Sequence, residues 1–178
     1  CAGAPTSQAD GVSKGAVLIW TGDGTGSGDL DASEAAWRVD GVTTGGRFGT
    51  SLSVADIDSD DDAEVAVGAP YANGMYVSSG RVYVMTSLDI FSSNPVASEV
   101  SDPIINGADS DDRLGASVAL GDMDGSGLSD LAVGASNAST AAGRGGAAYY
   151  FSDLVDSFGE VSASDATGSV SGEVAAAQ

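Results

Sequence analysis

The chain has 178 residues, 42% of them hydrophobic, which is enough to build a buried core and excludes a wholly disordered polymer. Twenty-six acidic residues face six basic ones with no histidine, giving a formal net charge of −20, a surface that repels phosphate backbones and so disfavours nucleic-acid binding while attracting dissolved cations. Cys1 is the single cysteine, which excludes an intrachain disulfide, and no apolar run approaches the ~18 residues of a membrane helix.

In chain order, the first signals are a Gly3-Ala4-Pro5 triplet and a glycine-led apolar run in which Val17 to Trp20 reads as a strand. A Gly-rich stretch, DGTGSGDLD from Asp23, places Asp23, Thr25, Ser27 and Asp31 at alternate positions. With no hydrophobic strand after it, it reads as a flexible loop rather than a metal site. Ala36 to Val39 is a weaker outer strand. Ser51 to Ala55, Glu64 to Val67 and Arg81 to Met85 follow, then a weaker Pro103 to Asn106, and finally Ala116 to Leu120, Asp130 to Val133 and Ala147 to Phe151. Each is a short run bounded by Gly, Asp or Ser, and none has helical periodicity. With 26 glycines and many aspartates for tight turns, the chain is predicted to be all-β.

Self-comparison explains this regularity. RFGTSLSVADIDSDDDAEVAVGAP from Arg47 recurs 66 residues later as RLGASVALGDMDGSGLSDLAVGAS from Arg113. Each copy is followed by a variable loop and a glycine-led strand, GRVYVMTS from Gly80 and GRGGAAYYFSD from Gly143. A third, incomplete copy opens the chain, and GSVSG near Gly172 aligns with PIING near Gly107 and WRVDG near Gly41. Three or four short antiparallel strands per ~60-residue unit is the content of a propeller blade.

These residues resemble the FG-GAP repeat of integrin α-subunit propellers and of many bacterial secreted proteins. Phe48-Gly49 and Leu114-Gly115 stand at the FG position, and Gly68-Ala69-Pro70 and Gly134-Ala135-Ser136 at the GAP position, with Leu114 and Ser136 departing from the pattern. The resemblance implies β-propeller blades in antiparallel sheets: a partial blade at 1–45 and FG-GAP repeats at 46–111 and 112–178. A seven-bladed propeller needs about 420 residues, so this chain supplies fewer than three blades. A larger protein, or another copy covering the open sheet edge, is expected to complete it.

Between FG and GAP lie two acidic loops. Asp56, Asp58, Asp60 and Glu64 occupy positions 1, 3, 5 and 9 of the first, and Asp122, Asp124, Ser126 and Asp130 the same positions of the second. Alternate spacing aims several hard oxygens at one point, which suits Ca²⁺. Position 12 is Val67 or Val133 rather than the bidentate glutamate of an EF-hand, so a β-hairpin site is expected, with the backbone carbonyl of Asp62 or Leu128 at position 7. Two calcium ions are predicted.

No nucleophile elbow, phosphate loop or dinucleotide fingerprint is present, and with one lysine and no histidine the usual general bases are nearly absent. The reading is therefore a non-enzymatic, calcium-binding structural or adhesive module outside the cell or at its surface. Its variable loops, Tyr71 to Ser79, Ser87 to Asp102 and Asn137 to Ala142, would meet a protein or glycan. Two alternatives are a substrate-binding part of a polysaccharide-acting enzyme, with Trp20, Trp37, Tyr149 and Tyr150 stacking on sugars, and a subunit that self-associates through its sheet edges. Aromatics on strands are more commonly core. Cys1 stands where a processed bacterial lipoprotein carries its lipid, although a fragment boundary explains it more simply.

Overall fold

The computed structural model describes residues 1–20, 31–57, 62–86, 95–99, 101–139, 143–152, 154 and 159–173. Among these the chain is all-β, with three short 3-10 turns and no α-helix. Three antiparallel sheets follow one another along the sequence. The first is built from β1 (Ala2–Ala4), β4 (Ala16–Ile19) and β5 (Trp37–Asp40) in the order β1-β4-β5, with a small hairpin of β2 (Gln8–Ala9) and β3 (Val12–Ser13) beside it. The second contains β6 (Ser51–Ala55), β7 (Glu64–Ala69), β8 (Arg81–Met85) and β9 (Ile104–Asn106) in chain order. The third contains β10 (Leu114–Gly121), β11 (Asp130–Ala135), β12 (Ala147–Phe151) and β14 (Gly168–Ser171). One strand crosses over: β13 (Glu160–Ser162) adds in parallel to the outer edge of β9.

The middle sheet is covered on both faces, and its sequence shows why. Successive side chains in a strand point to opposite faces. Val65, Val67 and Ala69 of β7, Tyr83 and Met85 of β8 and Ile104 of β9 enter the core shared with the first sheet. Ala66, Val82, Val84 and Ile105 enter the core shared with the third. Strand β7 is consequently buried at every position, whereas β11 is only half-buried at Ala132 and Gly134.

Between sheets the backbones approach so closely that only glycine fits. A Cβ on Gly3 would collide with the Gly49 carbonyl, and one on Gly68 with the Gly115 carbonyl. The glycine heading β12 is Gly146, not Gly143 as the sequence alignment suggested. Gly15, Gly80 and Gly146 have φ of 85°, 80° and 76°, and their carbonyls accept from Gly41, Gly107 and Gly172 at 2.9, 3.0 and 2.8 Å.

All five arginines are engaged. Arg38 pairs with Asp40, Arg81 with Glu160 and Arg144 with Asp111. Arg47 and Arg113 lie over the ring of Tyr71, at 4.4 and 5.0 Å from its centre.

Candidate metal centre

Strand β10 runs into the second acidic loop at Asp122, and β11 leaves it from Asp130, so the hairpin holds both ends of the loop in register, Gly121 opposite Asp130. The turn between them relies on Gly125 and Gly127, with φ of 80° and 91°. Asp122 accepts the Gly125 amide through Oδ1 at 2.6 Å and the Gly127 amide through Oδ2 at 3.0 Å. Asp124 accepts from the Ser126 amide at 2.9 Å, and the Ser126 hydroxyl from the Leu128 amide at 3.3 Å. Asp130, fully buried at the foot of the loop, accepts the Met123 amide at 2.8 Å.

This webbing brings one carboxylate oxygen from each of Asp122, Asp124 and Asp130 within 4.8 Å of the others. Three carboxylates so close repel one another, and one of them has no access to bulk water; a small multivalent cation relieves both costs. The donor set is all oxygen, as a hard cation requires. Ser126 adds a hydroxyl to the same loop, and Leu128 is half-buried within it.

The first loop has the same anchor. Glu64, buried at the start of β7, accepts the Ile57 amide at 2.8 Å across the same seven-residue interval that separates Asp130 from Met123. Asp56 and Asp62 lie exposed on either side. Asp58 and Asp60 fall outside the described residues. The two loops adjoin: the Ser129 hydroxyl donates to the Asp56 carbonyl at 3.0 Å, a link between repeats that no pattern within one repeat reveals.

Most of the Gly-rich stretch from Asp23 also lies outside the described residues. Asp31, its last acidic member, caps a 3-10 turn, accepting from the Ser33 amide at 2.8 Å, and the Ser33 hydroxyl holds its carboxyl below the usual range. Of the aromatics considered as sugar platforms, Trp37 packs against the first core and Tyr149 against the second, and Trp20 donates its ring N–H to the Asp31 carbonyl at 3.2 Å.

The FG-GAP repeat family model matches residues 48–85, from the Phe48-Gly49 pair through the first acidic loop to the end of β8. A segment of 105 residues, 56% of this chain, is 33% identical to integrin alpha-5 of Xenopus laevis. Residues 48–85 are an FG-GAP repeat, and over the matched segment the chain is similar to an integrin α subunit. It matches only 9% of that relative's length. Strands and loop of this FG-GAP unit recur as β10, β11, β12 and the Asp122 hairpin, beyond the span the family model covers.

The opposite end of the FG-GAP sheets carries a different chemistry. Arg47 and Arg113 precede β6 and β10, and Tyr71 follows β7, so their stack lies away from the acidic hairpins. Beside it the loop after β7 exposes Met75, Tyr76 and Val77 in succession. Hydrogen bonds fix its shape: Gly74 and Ser79 amides donate to the Tyr76 carbonyl, and the Ser78 amide to the Asn73 side chain at 3.0 Å. No described helix is long and apolar enough to cross a membrane.

Proposed function

We propose that this FG-GAP chain is a calcium-stabilised extracellular module, structural or adhesive rather than enzymatic, in which each acidic hairpin holds one Ca²⁺. The observation that carries this reading is the convergence of Asp122, Asp124 and Asp130 around one point at the mouth of a hairpin. Asp122, Asp124, Ser126 and Asp130 would supply side-chain oxygens in the second loop, and Leu128 its carbonyl. Asp56, Asp58, Asp60 and Glu64, with the Asp62 carbonyl, would do so in the first. The ion would neutralise carboxylates that otherwise oppose closure of the hairpins, and the Ser129–Asp56 bond would let each site steady the other. An extracellular setting suits such loops, since calcium modules outside cells work at about millimolar ion.

The rigid, apolar loop tip at Met75 to Val77 supports the adhesive half of the reading. Large exposed apolar residues in a row are unfavourable in water unless a partner covers them. A protein or glycan partner would meet this end while the calcium hairpins at the other end act on stability.

Thermal melting with calcium, magnesium and chelator tests the site assignment. A ligand bound only by the folded state raises stability by about 2.7 kcal/mol at one hundred times its Kd. A transition indifferent to both calcium and chelator would refute the calcium reading.

A further inference from the structure

In a chain of net charge −20, two arginines have no acid of their own. Arg38, Arg81 and Arg144 each pair with a carboxylate, but among the described residues Arg47 and Arg113 make no ion pair and no side-chain hydrogen bond. Both guanidiniums lie over the one ring of Tyr71, so two like charges from adjacent repeats are held against a single side chain. Stacking uses the flat face of a guanidinium and leaves the N–H groups around its edge to find an acceptor. Arg47 is exposed, and Arg113 is half-buried with its Nε unpartnered. The acids nearest Arg113 in sequence are committed elsewhere: Asp111 pairs with Arg144, and Asp112 is buried with the Asp109 amide on its carboxylate.

The backbone singles out the same place. Among the described residues five non-glycines have positive φ, of which Asp10 makes the β2-β3 turn. The other four surround the stack: Arg47 and Arg113 at 57°, Ser78 at 49° and Asp111 at 63°. An L-residue is held at such φ against its preference, and residues so held gather where ligands are clamped. Glycine would meet the backbone requirement before Phe48 and Leu114 with less strain, so the side chain accounts for arginine at both positions. The Asp111 amide donates to the Val77 carbonyl at 3.0 Å, which sets the exposed run of Met75, Tyr76 and Val77 beside the segment leading into Arg113.

We propose that Arg47 and Arg113 together bind one carboxylate of a protein partner, an aspartate or glutamate side chain next to a bulky apolar residue that covers Met75 to Val77. The inference rests on the adhesive reading above and names its ligand. A carboxylate has two oxygens and accepts charge-assisted hydrogen bonds from two guanidiniums at once. The net charge of −20 repels a polyanion such as an acidic glycan, whereas a single charge among apolar residues responds to the local field of the two arginines. The side chains of Met75 and Val77 offer nothing to sugar hydroxyls and suit an apolar side chain instead.

The test is NMR titration of the isotopically labelled 178-residue chain with acetyl-Phe-Glu-Leu amide, with its glutamine twin acetyl-Phe-Gln-Leu amide, and with a glucuronate-containing hexasaccharide. The expected result is saturable shifts at Arg47, Tyr71, Arg113 and Met75 to Val77 at up to millimolar glutamate peptide, with binding at least about tenfold weaker for the glutamine twin. Arg47→Gln, at an exposed side chain, should bring the glutamate peptide down to the level of its twin while the spectrum of the sheets stays unchanged. The comparison of the two peptides needs no variant. Equal binding of both peptides at this loop would overturn the carboxylate site and leave the adhesive loop standing, and no shifts from either at millimolar concentration would overturn both. Shifts confined to other parts of the chain, or tighter binding of the hexasaccharide than of the glutamate peptide, would also overturn the proposal.

Discussion

Glu64 accepts the backbone N–H of Ile57 at 2.8 Å from a position that is only 2% exposed. The carboxylate thus locks the base of the first acidic hairpin while Ile57 sits in the core between sheets. Glu64→Ala leaves the Ile57 amide without that acceptor and is expected to cost about 1–3 kcal/mol in urea denaturation with chelator present. Glu64→Gln keeps an acceptor oxygen and should recover most of that loss without calcium, but not the calcium-dependent part.

Asp124→Asn removes one negative charge from the trio that converges in the second hairpin and keeps an oxygen to accept the Ser126 amide. Without calcium the repulsion among the three falls, so the Asp124→Asn chain should melt no lower than the parent in chelator. With calcium the order reverses, and the parent gains more. Calorimetric scans of both proteins in calcium and in chelator check the crossing; parallel behaviour in the two media would contradict the assignment.

Gly68 and Gly134 occupy the same position in successive repeats, yet a Cβ meets backbone at the first and only the Ser117 hydroxyl at the second. Gly68→Ala is expected to cost about 1–3 kcal/mol through overpacking, and Gly134→Ala much less, because a serine side chain rotates away. Comparing the two unfolding midpoints decides it, and equal losses would count against the unequal packing of the two faces.

Asp112 is nearly buried, and desolvation, outweighing the hydrogen bonds from the Asp109 and Ser139 amides, raises its pKa above the ordinary aspartate value. A carboxyl whose folded pKa is raised favours folding below its unfolded pKa and loses that contribution as pH rises through the folded value. Asp112→Asn should therefore be more stable than the parent at neutral pH, with the difference shrinking as pH falls through the raised folded value and levelling off below about 4, where both states of the parent are protonated. Stability curves of the two proteins against pH provide the measurement.

The Tyr71 ring holds two guanidinium groups from adjacent repeats. At about 0.5–1 kcal/mol for each stack, Tyr71→Leu should lose about 1–2 kcal/mol, and Tyr71→Phe, which keeps the ring face, almost nothing. Chemical denaturation of the two variants separates the roles of ring and hydroxyl.

Much of this molecule was legible as repetition. Ser51–Ala55, Arg81–Met85 and Ala147–Phe151 are strands at the expected bounds, while β7 and β11 extend the expected runs by two residues and β10 by three, across the glycines that flank them. The β2-β3 hairpin escaped, although its signal is present: Asp10-Gly11, with φ of 52° and 76°, is the dipeptide a two-residue hairpin turn prefers. Strand β13 is too short to show a period, and its partner β9 lies in the preceding repeat, so nothing local marks it. At the acidic loops the alternate spacing identified Asp122, Asp124 and Asp130 as neighbours. The Ser129–Asp56 link and the Arg47–Tyr71–Arg113 stack escaped because their members come from different repeats and meet only once the sheets are stacked.

The double covering of the β6–β9 sheet gives the molecule an order in time. Each outer sheet detaches by breaking one interface, whereas the middle one must break two, so opening proceeds inward from the ends as in a short stack of coupled units. Amides of β7 and β8 are then the last to exchange with solvent, and any cation that tightens the hairpin leaving β6 slows the whole sequence from its centre.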